Sequence, residues 1–124
     1  MLYLKRKMFF SAAHSYRVEE WSDEENHEVF GLCSNKSGHG HDYCLEVTVK
    51  GQLQEQSGIV VNITDVDQLV KAVIVNKLDG KFLNKEIDYF KTHIPTTENI
   101  VQYIWNQLEN KLENCELHNI TLRE

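Results

Sequence analysis

The sequence predicts a single α+β domain over residues 1–124, with strands and helices in separate stretches of the chain. Two long segments alternate apolar and polar side chains at the period of a strand, and a third such segment lies near the carboxyl end. Between them, two segments repeat at the period of an amphipathic helix. The resulting order β-β-α-α-β separates strands from helices, whereas a parallel α/β sheet would interleave them.

The first predicted strand covers residues 2–14. Its even-numbered positions are mostly apolar and end at His14, with Arg6 as the exception. The second strand runs from His41 to Gly51, and its odd-numbered positions carry the aromatic and aliphatic side chains. Because side chains at i and i+2 of a strand project to the same face, each strand has one apolar face to bury.

A long polar connection, Ser15 to Gly40, lies between these strands. Loops of that length are usually functional or disordered, and Trp21, Phe30 and Leu32 indicate that this one is partly packed. Six carboxylates crowd part of it: Glu19, Glu20, Asp23, Glu24, Glu25 and Glu28. We interpret most of this acidic stretch as a solvated loop.

The first predicted helix begins at Asp65 and runs out near Leu78–Gly80, because its apolar residues recur at i, i+3, i+4 and i+7. The second follows Pro95, where a threonine of Thr96–Thr97 can cap the helix and Glu98 favours its positive end.

The last predicted strand covers Leu117–Glu124. Ile120 and Leu122 share one face, and Glu124 has the same parity. A carboxylate is therefore expected where the apolar side chains of this strand point.

Composition narrows the classes of function. The chain has 41% hydrophobic and 26% charged residues, which is ordinary for a globular domain, and its net charge of −6 argues against nucleic-acid binding. No apolar run approaches the roughly 20 residues that cross a bilayer, and the amino terminus does not resemble a secretory signal. Three irregularly spaced cysteines favour free thiols in a reducing compartment. We expect a soluble, cytoplasmic protein without membrane or nucleic-acid partners.

Three histidines predict a metal site. His39 and His41 are two residues apart on the second strand and point to one face, while His14 ends the first strand and lies beside them if the strands pair. Three histidines with an open fourth position are typical of catalytic zinc sites, although the ligand set also suits other divalent metals.

Cys33 lies six residues before His39, and its role has three interpretations from the residues alone. It could be a fourth ligand that closes the zinc site, a thiolate base or nucleophile near the metal, or a small buried hydrophobic residue.

A series of motifs spans nearly the whole chain in order: Phe10–His14 (FSAAH), Ser22–Asn26 (SDEEN), Phe30–Cys33 (FGLC), Gly38–Tyr43 (GHGHDY), Leu78–Asp79, Leu83–Asn84, Thr96–Ile100 (TTENI) and Tyr103–Trp105 (YIW). Together they resemble the 6-pyruvoyl-tetrahydropterin synthase family. The wider family includes the 6-carboxy-tetrahydropterin synthases of the queuosine pathway. The gap between Cys33 and His39 and the Ser22–Asn26 segment are more similar to the pyruvoyl branch.

The resemblance implies the tunnelling fold (T-fold), an antiparallel sheet with two helices on one face. It also implies that subunits assemble into barrels, usually as a homohexamer of two trimers with active sites at subunit boundaries. The implied enzyme is a carbon–oxygen lyase of tetrahydrobiopterin biosynthesis. It converts 7,8-dihydroneopterin triphosphate to 6-pyruvoyl-tetrahydropterin, and eliminates triphosphate without an external redox cofactor.

Residue by residue, the resemblance implies three roles. The zinc ligands are His14, His39 and His41. The catalytic residues are Cys33, as general base, and Asp79, as the aspartate of an Asp-His pair. The pterin-binding residues are Thr96, Thr97 and Glu124.

The chain departs from the family pattern at three places. Gly80 stands where the family has the histidine of the Asp-His pair, and Ser15 stands where the family has an arginine, which Arg17 is available to replace. The sequence ends at Glu124, so we expect the final family strand to be absent. An impaired pyruvoyl synthase, a synthase of the carboxy product and a zinc-retaining pterin-binding protein without turnover therefore remain as alternatives.

Overall fold

The computed structural model describes residues 1–124, and it contains the three long strands and two principal helices that the sequence predicts. The strands are β1 (Leu2–His14), β2 (His39–Gly51), β3 (Lys81–Phe82) and β4 (Glu116–Arg123). The helices are α1 (Asp23–Phe30), α2 (Ile63–Val70), α3 (Asn76–Leu78), α4 (Leu83–Glu86), α5 (Tyr89–Thr92) and α6 (Thr97–Leu108). No helix is long and apolar enough to cross a membrane.

The sheet has the order β3-β1-β2-β4, with β1–β2 and β2–β4 antiparallel. The β1–β2 ladder is continuous from Leu2 opposite Gly51 to His14 opposite His39. This register places the even positions of β1 and the odd positions of β2 on one face of the sheet, as their apolar patterns require.

The core lies between that face and the two principal helices. Side chains of β1 and β2 such as Phe10, Tyr43 and Leu45 form one buried cluster with α2 and α6 side chains such as Val70 and Ile104. Arg6, the one charged residue on the core side of β1, donates two hydrogen bonds of 2.8 Å to the carboxylate of Asp67 in α2. Arg6 therefore departs from the apolar pattern because it forms an ion pair that connects α2 to β1.

The long first helix is built in three parts. α2 starts at Ile63, two residues before the predicted Asp65, because the side chain of Asn62 accepts a hydrogen bond from the Thr64 N–H and caps it. The helix continues through a π-helical segment, Lys71–Val75, and ends with α3 at Leu78 as predicted.

The carboxylates of the acidic stretch are exposed as we expected, but most of the stretch is not a loop, because Asp23–Phe30 forms helix α1. The Ser22 hydroxyl accepts a hydrogen bond of 3.1 Å from the Glu25 N–H and donates one of 3.3 Å to the Glu25 carboxylate, so Ser22 caps the first turn. Acidic residues in the first turn also interact favourably with the positive end of a helix. The Ser-x-x-Glu spacing was the signal for this helix.

β3 is another element that the sequence did not predict, and it pairs in parallel with β1 over Ala12–Ala13. The sheet is therefore mixed at this edge, and antiparallel only across its three long strands. The chain turns into β3 through Gly80, whose φ of 72° lies in the left-handed region that glycine adopts without strain. Two residues are too short a segment for an alternating pattern to indicate a strand.

Candidate metal centre and active site

The ends of β1 and β2 bring the three predicted metal-binding histidines together. His14 pairs with His39 in the ladder, and His41 pairs with Ala12, so the three side chains meet on the core side of the sheet. One ligand nitrogen from each lies within 4.8 Å of the others. The imidazole centroids are 4.7 to 4.8 Å apart. The structure confirms that the sequence places these three histidines at one point.

His14 is the most deeply placed of the three and is fully buried. Its Nδ1 lies 2.9 Å from the Tyr43 hydroxyl, whereas its Nε2 is a buried polar atom without a hydrogen-bond partner. Burial, together with the neighbouring His41 and His39, lowers the pKa of His14 to about 4. A neutral imidazole with one nitrogen free is the form that binds a metal, so the residues fit a metal ion at this point.

Tyr43 was not among the predicted site residues. It is fully buried, and burial followed by the charge of Glu124 raises the pKa of its hydroxyl. A neutral hydroxyl beside His14 Nδ1 fixes the orientation of that imidazole, as outer-shell groups do at metal sites. Tyr43 lies two residues after His41 on the same face of β2, and this spacing could have indicated its role.

Cys33 lies beside the cluster, with its Sγ 3.7 Å from His39 Nε2. It belongs to a 3-10 turn, Gly31–Ser34, and the Cys33 carbonyl accepts a hydrogen bond of 2.7 Å from the Tyr16 N–H. Ser34 strengthens the turn, since its hydroxyl donates to the Gly31 carbonyl at 2.8 Å. The thiol is therefore held next to the histidines by backbone contacts with the segment that follows β1.

Glu124 brings the predicted pterin-binding residues to the same place. Its Oε1 accepts a hydrogen bond of 3.0 Å from the Thr97 hydroxyl, and its Oε2 lies 3.9 Å from His41 Nε2. Thr96 is the N-cap of α6, where its hydroxyl oxygen accepts a hydrogen bond from the Asn99 N–H. One carboxylate thus adjoins both the start of α6 and the histidine cluster.

Tyr16 is a second residue that the sequence analysis missed. Its ring lies 4.5 Å from the imidazole of His14, and its hydroxyl reaches Glu124 Oε1 at 3.5 Å. Burial and then the negative charge of Glu124 raise the pKa of this hydroxyl to about 12. Tyr16 lies in irregular backbone after β1, where no periodicity indicates which way a side chain points.

Asp79 is placed apart from the cluster within one chain. Its Oδ1 accepts a hydrogen bond of 2.8 Å from the Ser11 N–H, and the next residue, Gly80, donates its N–H to the Ser11 carbonyl at 2.7 Å. Both contacts lie at the edge of β1 that faces β3. A Cβ on Gly80 would meet no atom within 4 Å, so the turn has open space where the family has its histidine.

The other candidate groups lie away from the cluster or have partners. Arg17, the proposed substitute for the family arginine, donates to the Ser34 carbonyl at 2.7 Å and to the Asp23 carboxylate. His27 and His118 are exposed on α1 and β4, and His93 stacks on Tyr89 at a centroid distance of 4.0 Å. None of these histidines replaces the missing imidazole at Gly80 within one chain.

Gly38 precedes the two histidines of β2 that belong to the cluster, and its surroundings are crowded. A Cβ at this position would lie 2.6 Å from the Phe82 ring and 2.9 Å from the His14 carbonyl oxygen. Its φ of 73° is also in the left-handed region. Only glycine fits here without displacing β3 or the end of β1.

The sequence and the structure are similar to those of known proteins over a range that includes every residue of the candidate site. The model of the family described as 6-pyruvoyl tetrahydropterin synthase matches residues 3–124. The 6-pyruvoyl tetrahydrobiopterin synthase of Drosophila melanogaster is 43% identical over 115 residues, which cover 93% of this chain and 68% of that protein. The corresponding protein of Poecilia reticulata is 41% identical over 122 residues, covering 98% and 83%. The structure of Caenorhabditis elegans 6-pyruvoyl tetrahydropterin synthase has a TM-score of 0.85 at 32% identity, and the match covers 99% of this chain and 94% of that one.

Proposed function

The chain belongs to the 6-pyruvoyl tetrahydropterin synthase family of lyase-type enzymes, and we propose that it converts 7,8-dihydroneopterin triphosphate to 6-pyruvoyl-tetrahydropterin with loss of triphosphate. The observation that carries the proposal is that three kinds of side chain lie close together. The histidines lie at the ends of β1 and β2, the Glu124 carboxylate directly follows β4, and the Cys33 thiol reaches the cluster from the 3-10 turn Gly31–Ser34. A reaction on the side chain of a pterin requires that the groups that bind the ring lie close to the groups that react with the side chain.

The proposed metal is zinc, held by His14, His39 and His41. The unpartnered Nε2 of His14 and its Nδ1 contact with Tyr43 support this assignment. These three imidazoles would hold a zinc ion, and the ion would supply Lewis acidity toward the side-chain oxygens of the substrate. His14 and Tyr43 contribute a rigid, correctly oriented ligand nitrogen.

Cys33 is the proposed general base. Its sulfur lies within 3.7 Å of the cluster, so a thiolate here is within reach of a substrate carbon that binds beside the histidines. Asp79 is proposed to act in a site to which a neighbouring subunit contributes, because within one chain it lies at the edge of β1. The loss of the family histidine at Gly80 predicts slow turnover.

Glu124, Thr97 and Thr96 are proposed to bind the pterin. A carboxylate accepts two parallel hydrogen bonds, one from the amino group and one from a ring N–H of a pterin. Thr97 contacts Glu124 directly, and Thr96 caps the helix on which Thr97 lies. The hydroxyl of Thr96 keeps its own hydrogen for donation while its oxygen serves as the cap.

We also propose assembly into barrels, as a homohexamer of two trimers. β4 forms one edge of the sheet without a further neighbour, and most of the opposite edge of β1 is unpaired because β3 covers only two residues. Phe9 is 68% exposed on the face opposite the helices. Open edges and exposed aromatic side chains are features that a second copy of a chain covers. Three free cysteines support a cytoplasmic location.

Product analysis tests the function. The zinc-loaded protein is incubated with 7,8-dihydroneopterin triphosphate, and the pterins and triphosphate are separated by chromatography. Formation of 6-pyruvoyl-tetrahydropterin with equimolar triphosphate supports the proposal, and its loss in Cys33→Ala but not in the Cys115→Ala control assigns the base. A carboxy-tetrahydropterin product, or tight pterin binding without turnover, would overturn it in favour of one of the two alternatives.

A further inference from the structure

Tyr16 connects the two halves of the candidate site. It follows His14 by two residues, and its backbone N–H donates to the Cys33 carbonyl at 2.7 Å. This contact holds the start of the tyrosine side chain beside the turn that carries the proposed base. Its position is therefore set by the main chain on both sides of the site.

The ring and the hydroxyl of Tyr16 contact different partners. The ring lies against the imidazole of His14 at a centroid distance of 4.5 Å and meets Phe30 edge-on at 6.0 Å. The hydroxyl lies 3.5 Å from Glu124 Oε1, the same oxygen that accepts the hydrogen bond from Thr97 at 3.0 Å. The Tyr16 side chain thus contacts both the proposed metal ligand His14 and the proposed pterin-binding residue Glu124.

The acceptor capacity of Glu124 gives this contact a consequence. An ionised carboxylate has about four acceptor positions, two on each oxygen, and the Thr97 hydroxyl takes one of them on Oε1 at 3.0 Å. The Tyr16 hydroxyl reaches the same oxygen at 3.5 Å, which is a long hydrogen bond, and limits the rotation of the carboxylate. Two parallel hydrogen bonds from a pterin need one position on each oxygen, so the orientation of the carboxylate plane decides whether both can form. Without the Tyr16 hydroxyl, the carboxylate keeps only one hydrogen bond and gains freedom to rotate.

We propose that Tyr16 is a positioning residue for pterin binding, which orients the Glu124 carboxylate through its hydroxyl while its ring packs on His14. This inference rests on the proposed function, because it requires that Glu124 binds the pterin. The effect is on recognition of the pterin ring, and the metal ligands keep their positions because the ring contact with His14 is independent of the hydroxyl.

The test measures the equilibrium Kd of neopterin, a fluorescent and unreactive pterin, for the zinc-loaded protein. Tyr16→Phe keeps the ring and removes the hydroxyl, and we expect the Kd to rise about threefold to tenfold, the effect of one hydrogen bond. Zinc content and melting temperature are measured on the same samples. Tyr3→Phe is the matched control, because Tyr3 is an exposed tyrosine on β1 at the far end of the strand, and its Kd should not change.

A double-mutant cycle separates positioning from a general structural role. If Tyr16 acts through Glu124, Tyr16→Phe has no further effect on the Kd in the Glu124→Ala background, which removes the acceptor oxygens. A purely structural tyrosine would instead lower the melting temperature and give additive effects on the Kd, and this result would overturn the proposal. An unchanged Kd in Tyr16→Phe, together with a raised Kd in Glu124→Ala, would overturn it too. If Glu124→Ala itself leaves the Kd unchanged, the pterin anchor of the proposed function fails first.

Discussion

The histidine cluster and the Asp79–Gly80 turn both depend on β1, but they use it differently. The cluster takes side chains from the core face at the ends of β1 and β2 and is complete within one chain. The turn contacts the main chain of Ser11 at the outer edge of β1, where the Asp79 carboxylate accepts a hydrogen bond from the Ser11 N–H. Paired strands bring side chains together by their register alone, whereas a turn at a sheet edge needs a second surface before it can take part in a site.

The largest expected effect comes from removing a ligand of the cluster. His39→Ala should lose the bound zinc, because two imidazoles cannot hold the metal of a three-histidine site, and turnover should fall below detection. Elemental analysis of the purified variant gives the metal content per chain. His118→Ala, an exposed histidine on β4, should retain full zinc. Full zinc in His39→Ala would contradict the metal assignment.

The second prediction tests whether the Asp79–Gly80 turn takes part in catalysis. Gly80→His should raise turnover by about 10² to 10⁴, the usual contribution of a positioned acid–base group. A Cβ added at Gly80 meets no atom within 4 Å, and histidine is among the residues that tolerate a positive φ such as the 72° found here. Steady-state rates with 7,8-dihydroneopterin triphosphate give the comparison.

The chain contains a matched control for this variant. Gly58 has a φ of 73° and also has nothing within 4 Å of an added Cβ, but it lies in the loop between β2 and α2. Gly58→His should therefore carry the same backbone strain without any gain in rate. Equal rates for both variants and the parent would mean that the turn serves no site, and that its distance from the cluster persists in the assembly.

The same contrast explains what the sequence could predict. The three histidines, the core parity of Glu124 and a threonine cap at Thr96–Thr97 follow from strand alternation and helix capping, and in the structure Thr96 is the cap. Tyr16 and the Asp79–Gly80 turn lie in irregular backbone, where side-chain direction depends on contacts between residues distant in sequence. The spacing of apolar residues along the sequence does not predict such contacts.

A third prediction tests the contact between the Tyr43 hydroxyl and His14 in the histidine cluster. Tyr43→Phe keeps the buried ring but leaves His14 Nδ1 without its hydroxyl partner at 2.9 Å. Loss of such an outer-shell contact typically weakens metal affinity by about 10- to 100-fold, and we expect the lower end, about tenfold. Competition with a zinc chelator measures this change. Tyr103→Phe, which alters another buried tyrosine, should leave zinc affinity unchanged.

The smallest effect concerns the framework that both regions share. Hydrogen bonds from Arg6 hold the pKa of Asp67 below its usual range, so the ionised carboxylate stabilises the folded state. This contribution is present above the unfolded-state pKa of about 4 and is lost as the pH falls through the lower folded-state pKa. Asp67→Asn should be slightly less stable than the parent at pH 7, with the difference shrinking below pH 4. Urea unfolding across pH gives the comparison, and a difference that does not depend on pH would contradict it.

Gly38 sets a limit on how this gene can vary. Any missense change at this codon adds a Cβ that meets the Phe82 ring at 2.6 Å and the His14 carbonyl oxygen at 2.9 Å. The new side chain would displace both the edge of the sheet and the strand end that presents His14. Such an allele would lose the proposed metal although the codons of all three histidines are intact, and surveys of variants that inspect only those codons would miss it.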